Sequence, residues 1–253
     1  MNIDLSGKTA LVTGAGTGIG ESCARCLSEC GAFVWVNDLE ADRAHQVAKD
    51  IKGQALIGDV AQDGPWLQPV LDHGQLHVLV HNAGYDLPSP ISDLDPAEFN
   101  RLIAVQVTGP TQITRQLLPA LKAAQGAAII HIASVHALVT EPAMSAYAAC
   151  KGALVSMVRG MAQDLGPDQI RVLAVSPGYI QTALLEQWIE SRPAPETTRA
   201  ASHALHPLGR MGTPQDIGNL VAFLASPLAE FMTGTNVVID GALSACLYQG
   251  PVL

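Results

Sequence analysis

The stretch Lys8-Thr9-Ala10-Leu11-Val12-Thr13-Gly14-Ala15-Gly16-Thr17-Gly18-Ile19-Gly20 decides the fold. Lys8 to Val12 is a short apolar run of strand length that enters a glycine turn with no polar linker between them. Glu21 to Cys30 then reads as a helix stopped by Gly31, so the opening unit is strand, glycine turn, helix.

Working outward, the same alternation repeats. A second buried strand, 32–36, ends at Asn37-Asp38 and is followed by a helix at 41–51, a strand at 54–57, a helix near 64–73 and a strand at 76–80. The second half predicts a helix at 96–122, a strand at 127–132, a helix at 146–165, a strand at 170–175, a helix at 214–225 and a closing strand at 235–239. Strands alternating with helices imply an α/β fold, a doubly wound parallel sheet covered on both faces. We expect one domain over residues 1–253, with no internal repeat, low-complexity tract or linker. The weakly patterned stretch Gln181 to Leu208, with Pro193, Pro195 and Pro207, is expected to be a lid.

Composition narrows the function classes. The formal net charge is -9 and no segment clusters Lys and Arg, so a nucleic-acid partner is not expected. Hydrophobic residues are 48% of the chain, yet no apolar run approaches the roughly 18 residues of a membrane span. The first residues, Met1 to Lys8, carry no export signal, which predicts a cytoplasmic protein. Five Cys residues form no disulfide framework; Cys23, Cys26 and Cys30 share a helix face without a fourth ligand, so they read as small buried residues and no metal is expected.

A glycine turn between strand and helix lets backbone approach a pyrophosphate at the positive end of the helix. Here the spacing is Gly14-x-x-x-Gly18-x-Gly20, looser than the general dinucleotide fingerprint, with Thr17 and Ile19 inside it. Asp38, followed by Leu39, ends the second strand, where a carboxylate can accept both ribose hydroxyls of NAD and would repel a 2′-phosphate. No Arg follows before Arg43, which favours NAD over NADP. Asp59-Val60 and Asn82-Ala83-Gly84 follow the third and fourth strands, at the edge where open α/β sheets bind ligands.

Tyr147 and Lys151 stand four apart on one helix face, and Ser134 ends the preceding strand. Oxidising an alcohol needs a base for the hydroxyl proton, and a phenol near pKa 10 must drop by about three units, roughly 4 kcal/mol, to serve at neutral pH. The Lys151 ammonium and an oxidised nicotinamide can supply that, while Ser134 hydrogen-bonds the substrate oxygen.

In order and spacing, the glycine turn, Asp59-Val60, Asn82-Ala83-Gly84, Ser134, Tyr147-x-x-x-Lys151 and Pro177-Gly178-Tyr179-Ile180-Gln181-Thr182 resemble the short-chain dehydrogenase/reductase family over nearly the whole chain. The resemblance implies a Rossmann enzyme, homotetrameric or dimeric, with pro-S hydride transfer and Ser134, Tyr147 and Lys151 as the catalytic set. It also places Ile180 and Thr182 at the nicotinamide carboxamide, and Asn82 and Gly84 on the adenosine side. Where the family usually has an Asn holding a proton-relaying water, Val105-Gln106-Val107-Thr108-Gly109 offers Gln106, a longer amide expected to relay with altered geometry.

The expected substrate contacts are Ser134, Tyr147, Tyr85, Asp86, His136, Glu141, Tyr179 and Trp188, a polar set that several substrate hydroxyls would satisfy. Leu184 to Arg192 and Leu208-Gly209-Arg210-Met211-Gly212 are similar to family members that oxidise sugars at the anomeric carbon, which points to a sugar or polyol. Alternatives are a 3-oxoacyl thioester reductase, a hydroxysteroid or small-ketone dehydrogenase and, in another class, a non-catalytic NAD-sensing protein. Helices 96–122 and 146–165 carry more small and apolar residues than one core face needs, including Ala148, Ala149, Ala153, Val155 and Met157. With the uncharged tail Ala242 to Leu253, they predict a homotetramer.

Overall fold

The computed structural model describes residues 3–246. Seven parallel strands form one sheet: β1 (Thr9–Val12), β2 (Phe33–Asp38), β3 (Gln54–Ile57), β4 (Val78–His81), β5 (Ala128–Ile132), β6 (Arg171–Pro177) and β7 (Thr235–Ile239). Their order is β3-β2-β1-β4-β5-β6-β7. The chain thus winds one way from β1 to β3, then returns to β4 on the other side of β1 and winds the opposite way. The crevice between β1 and β4 at the carboxyl edge is the switch point of this topology.

The central strands are apolar without alternation because both faces are covered. Ala10, Val12, Val78 and Val80 face one core with α1 (Gly18–Glu29), α2 (Ala41–Asp50) and α9 (Pro214–Ala225). Leu11, Leu79 and Ile129 face the other core, with α3 (Gln68–His73), α5 (Gly109–Ala123) and α6 (Ser145–Leu165). This is the doubly wound α/β fold expected from the pattern.

The boundaries differ in instructive ways. α1 begins at Gly18 rather than Glu21, so the last glycines of the turn form its first helical turn. β2 runs through Asn37 to Asp38, two residues beyond the predicted end. The predicted helix 96–122 is interrupted: α4 (Pro96–Ile103) and α5 are joined by a π-helical turn, Ala104–Thr108. Pro110 has no N–H to give the Gln106 carbonyl, as an unbroken α-helix would require.

Residues 181–208 hold two helices, α7 (Ala183–Glu190) and α8 (Pro195–Ala204). Pro195 occupies the first turn of α8, where its missing N–H costs nothing. Arg199 ties them, reaching Glu186 at 2.8 Å, Glu190 at 2.7 Å and Glu196 at 2.9 Å.

Cys23 and Cys26 are buried in the α1 face of the core, and Cys30 is half-buried. On α6, Ala148 and Ala153 are half-exposed and Ala149 is exposed, whereas the half-exposed Val155 and Met157 pack against the chain's own core, so the surplus apolar surface is smaller than the sequence implied. The predicted contact of the tail falls, from residue 247 onward, outside the described residues. Among the described residues no helix is long and apolar enough to cross a membrane.

Candidate active site

The glycine turn lies at the switch point. Gly14 has φ +60, and a Cβ there would stand 2.8 Å from Ala83 Cα on the neighbouring loop. A Cβ on Gly20 would collide with the Gly14 carbonyl oxygen and the Asn82 side-chain nitrogen. The turn therefore closes on itself only because these positions lack side chains. Asn82 clamps it: its Nδ2 donates to the carbonyls of Thr13 (3.1 Å) and Gly14 (2.9 Å). In return, the backbone N–H groups of Asn82 and Ala83 donate to Thr13 Oγ1 at 3.1 and 3.2 Å. Thr13 was not singled out from sequence; nothing local marks it, since its partners come from β4.

Thr17 is the N-cap of α1, but its side chain makes no capping bond. The first-turn N–H groups, including those of Ile19 and Gly20, are thus left to face an anion. Asp38 closes the other side: its Oδ2 accepts from Gly16 N at 2.9 Å and its Oδ1 from Glu40 N at 3.0 Å, while Leu39 beside it is exposed. Asp59 caps the following turn through Ala61 N (2.9 Å) and pairs with Arg101 at 2.6 Å. Val60 is buried. On the far side of the crevice, Thr182 caps α7, and its methyl lies 3.3 Å from where a Gly18 Cβ would be. Buried Ile180 is fixed by a bridge to Gly212. Pro177 ends β6, and Gly178 packs against Asp240. These glycines, N–H groups and the Asp38 carboxylate fit a dinucleotide along the β1–β4 crevice.

Beside that crevice stand the three residues of the predicted catalytic set. Ser134, just past β5, is buried, and its Oγ accepts from His136 N at 3.2 Å. Tyr147 lies in the first turns of α6, and Lys151 follows one turn later, buried, with Nζ 5.4 Å from the centre of the Tyr147 ring. Lys151 Nζ donates to the Ile132 carbonyl at 2.9 Å, which anchors α6 to the end of β5. Burial pulls the Lys151 ammonium down to about 8, with Cys150 and Asp86 acting the other way. Burial first, then the charge of Asp86, pushes the Tyr147 phenol upward, against a smaller downward effect of Ser134. The protein alone therefore does not make Tyr147 a base.

Gln106 sits in the π-helical turn, buried, with Nε2 donating to the Tyr85 carbonyl at 2.6 Å and its side chain against Gly84. His136 meets the Tyr147 ring edge-on at 5.4 Å, and its Nδ1 is bonded to Thr140 Oγ1 at 2.9 Å. Tyr179 donates its hydroxyl to Glu141 at 2.9 Å. This corrects one step of the sequence argument. Tyr179 and Glu141 satisfy each other and His136 bonds Thr140, so these three do not by themselves demand a hydroxyl-rich substrate. Trp188 is 39% exposed and carries the Arg192 guanidinium 4.2 Å over its ring. A hollow of about 400 Å³ opens at the opposite edge of the sheet, beside Lys8, His77 and Arg171, and contains none of the site residues.

Comparison with known proteins agrees with this geometry. Residues 14–244 match the sequence model of a family described as enoyl-(acyl carrier protein) reductase. This chain belongs to the short-chain dehydrogenase/reductase family. It is 33% identical to cis-4-hydroxycyclohexanecarboxylate dehydrogenase of Sinomonas cyclohexanicum over 94% of this chain and 97% of that one. It is 35% identical to 7alpha-hydroxysteroid dehydrogenase of Escherichia coli K12, over 95% of each. Among solved structures, 3-ketoacyl-(acyl-carrier-protein) reductase from Brucella melitensis complexed with NADH superposes with a TM-score of 0.86 at 33% identity, over 95% of this chain and 100% of that one. The chain is thus an oxidoreductase of this family with a nicotinamide-dinucleotide site.

Proposed function

We propose that this short-chain dehydrogenase/reductase uses NAD to oxidise a ring-borne secondary alcohol, or runs the reverse reduction, with Tyr147 as the proton acceptor and donor. The observation that carries the reading is the convergence of Ser134, Tyr147 and Lys151 at the carboxyl edge of the sheet, beside the crevice that Asp38 closes. NAD bound in that crevice would supply the hydride acceptor.

The chain's own groups do the rest. Ser134 holds the substrate oxygen, Tyr147 takes the hydroxyl proton as the carbon gives up its hydride, and Lys151 contributes positive charge beneath the phenol. Burial raises the phenol, so the positive charge of an oxidised nicotinamide in the crevice would help lower it toward the range of a base. Gln106, wedged between Gly84 and the Tyr85 carbonyl, would hold the water that relays the proton onward. Asp38, with both oxygens fixed by backbone N–H groups, favours NAD over NADP. The helix pair α7–α8 serves as the lid, and the exposed small residues of α6 fit a homotetramer.

Cyclic-alcohol and steroid relatives favour a carbocyclic substrate. A sugar or polyol is the second reading, favoured by the His136 ring against Tyr147 and the Asp86 charge felt there. The test follows NADH absorbance while purified protein meets NAD or NADP against cyclic alcohols, aldoses, polyols, steroids and hydroxyacyl thioesters. NAD-linked oxidation of a cyclic alcohol or sugar is expected. Exclusive NADP-linked reduction of an acyl thioester would overturn the reading.

A further inference from the structure

Two histidines lie under the site and take no part in the mechanism above. His81 of β4 and His131 of β5 are register partners in the sheet, and their rings stack at 4.7 Å with 23° between planes. Both are buried, His131 completely. They belong to the face of the sheet that α5 and α6 cover, because their side chains alternate with Val80 and Ile130 on the other face. His81 Nε2 is bonded to Thr114 Oγ1 of α5 at 2.9 Å. Among the described residues, neither ring nitrogen of His131 has a hydrogen-bond partner, nor has His81 Nδ1.

A neutral imidazole always carries one N–H and one lone pair, so whichever tautomer His131 adopts, a donor and an acceptor are buried together with apolar neighbours. Native interiors do not usually leave such groups unmet, and a bridging water is the ordinary solution where a second polar group stands near. That second group is Lys151. Its charge is felt at His131, and it anchors to the carbonyl of the very next residue, Ile132. One bond to Ile132 leaves two ammonium N–H groups.

We propose that His131, braced by His81 and Thr114, is a positioning residue for Lys151, receiving one of its N–H groups through a buried water. The other groups facing the ammonium are Tyr147 and Cys150 on α6 and Asp86 after β4. His131 stays neutral there, since burial and the Lys151 charge both oppose its protonation, so it supports the ammonium without repelling it. The role rests on the functional reading above, in which Lys151 must stay charged beneath Tyr147.

The experiment follows the Cε resonance of Lys151 by NMR through a pH titration of NADH-saturated, 13C-lysine-labelled protein, its assignment made with Lys151→Arg. His131→Leu, which removes the acceptor, is expected to lower the Lys151 midpoint by about half a pH unit or more. His131→Asn, which keeps a donor and an acceptor, is expected to restore it. A His131→Leu midpoint equal to wild type, or equal shifts in both variants, would overturn the proposal. Should His131→Leu not fold, a high-resolution crystal structure of the wild type decides: a water bonded to both Lys151 Nζ and a His131 nitrogen supports it, and its absence overturns it. Failure of the wild type to bind NADH in the same samples would instead sink the functional reading, and the titration of the free protein would still test the coupling.

Discussion

Asn82 donates its side-chain amide to the carbonyl of Gly14 at 2.9 Å, so the end of β4 clamps the glycine turn at the end of β1. The two segments are 68 residues apart in sequence and adjacent only because the winding reverses after β3 and sets β4 beside β1. Asn82→Ala leaves the Gly14 and Thr13 carbonyls without their donor. It is expected to lower unfolding free energy by about 1–3 kcal/mol and weaken NADH binding several-fold. Urea unfolding and NADH fluorescence titration measure the two effects; unchanged values in both would show that the clamp does nothing.

Asp38 holds Gly16 N on one oxygen and Glu40 N on the other. Its charge is what a 2′-phosphate would meet. Asp38→Ala should weaken NAD binding by about tenfold, the order of one lost charged hydrogen bond, and improve NADP relative to NAD. Initial rates with both cofactors give the ratio, and an unchanged ratio would remove Asp38 from cofactor choice.

Lys151 gives a pH signature in stability. Its folded value of about 8 lies below the ordinary 10.5, so the unfolded chain binds the proton more tightly. The ammonium thus destabilises the fold below pH 8, by an amount on the order of 3 kcal/mol, and this is relieved as pH rises from 8 to 10.5. Lys151→Met carries no such charge. The variant should therefore gain stability relative to wild type at pH 7, and the difference should narrow by pH 10. A difference independent of pH, read by urea unfolding, would contradict the buried charge.

Much of the fold was legible because the relevant signals are local. The apolar run into Gly14, the strand-end Asp38 and the Tyr147–Lys151 spacing each lie within a few residues. What was not legible depends on contacts across the sheet or on proline context. The helices α7 and α8 were not legible inside the weakly patterned stretch 181–208, because the place of Pro195 in the first turn of α8 is visible only once the helix is known. The π-helical turn around Gln106 was hidden inside an otherwise good helical pattern. Glu141 and Tyr179 were read as groups awaiting a substrate, whereas they bond each other across 38 residues. The stacked His81 and His131 gave no sequence signal, since a lone histidine in a strand is commonplace.

Gln106 makes one bond that a shorter amide need not make, to the Tyr85 carbonyl at 2.6 Å. Gln106→Ala frees that carbonyl and removes the proposed relay. Turnover at saturating substrate should fall by about tenfold or more, with NADH affinity nearly unchanged. An unaltered turnover would assign Gln106 to packing alone.

The central claim is that Tyr147 moves the proton while the hydride crosses to the cofactor. Its most direct measurement compares wild type and Tyr147→Phe in NAD-linked oxidation of the best substrate found, with NADH binding measured on the same samples. The account predicts that Tyr147→Phe binds NADH as wild type does and loses turnover by about 10²-fold or more. A Tyr147→Phe enzyme that binds NADH and turns over at the wild-type rate would contradict it.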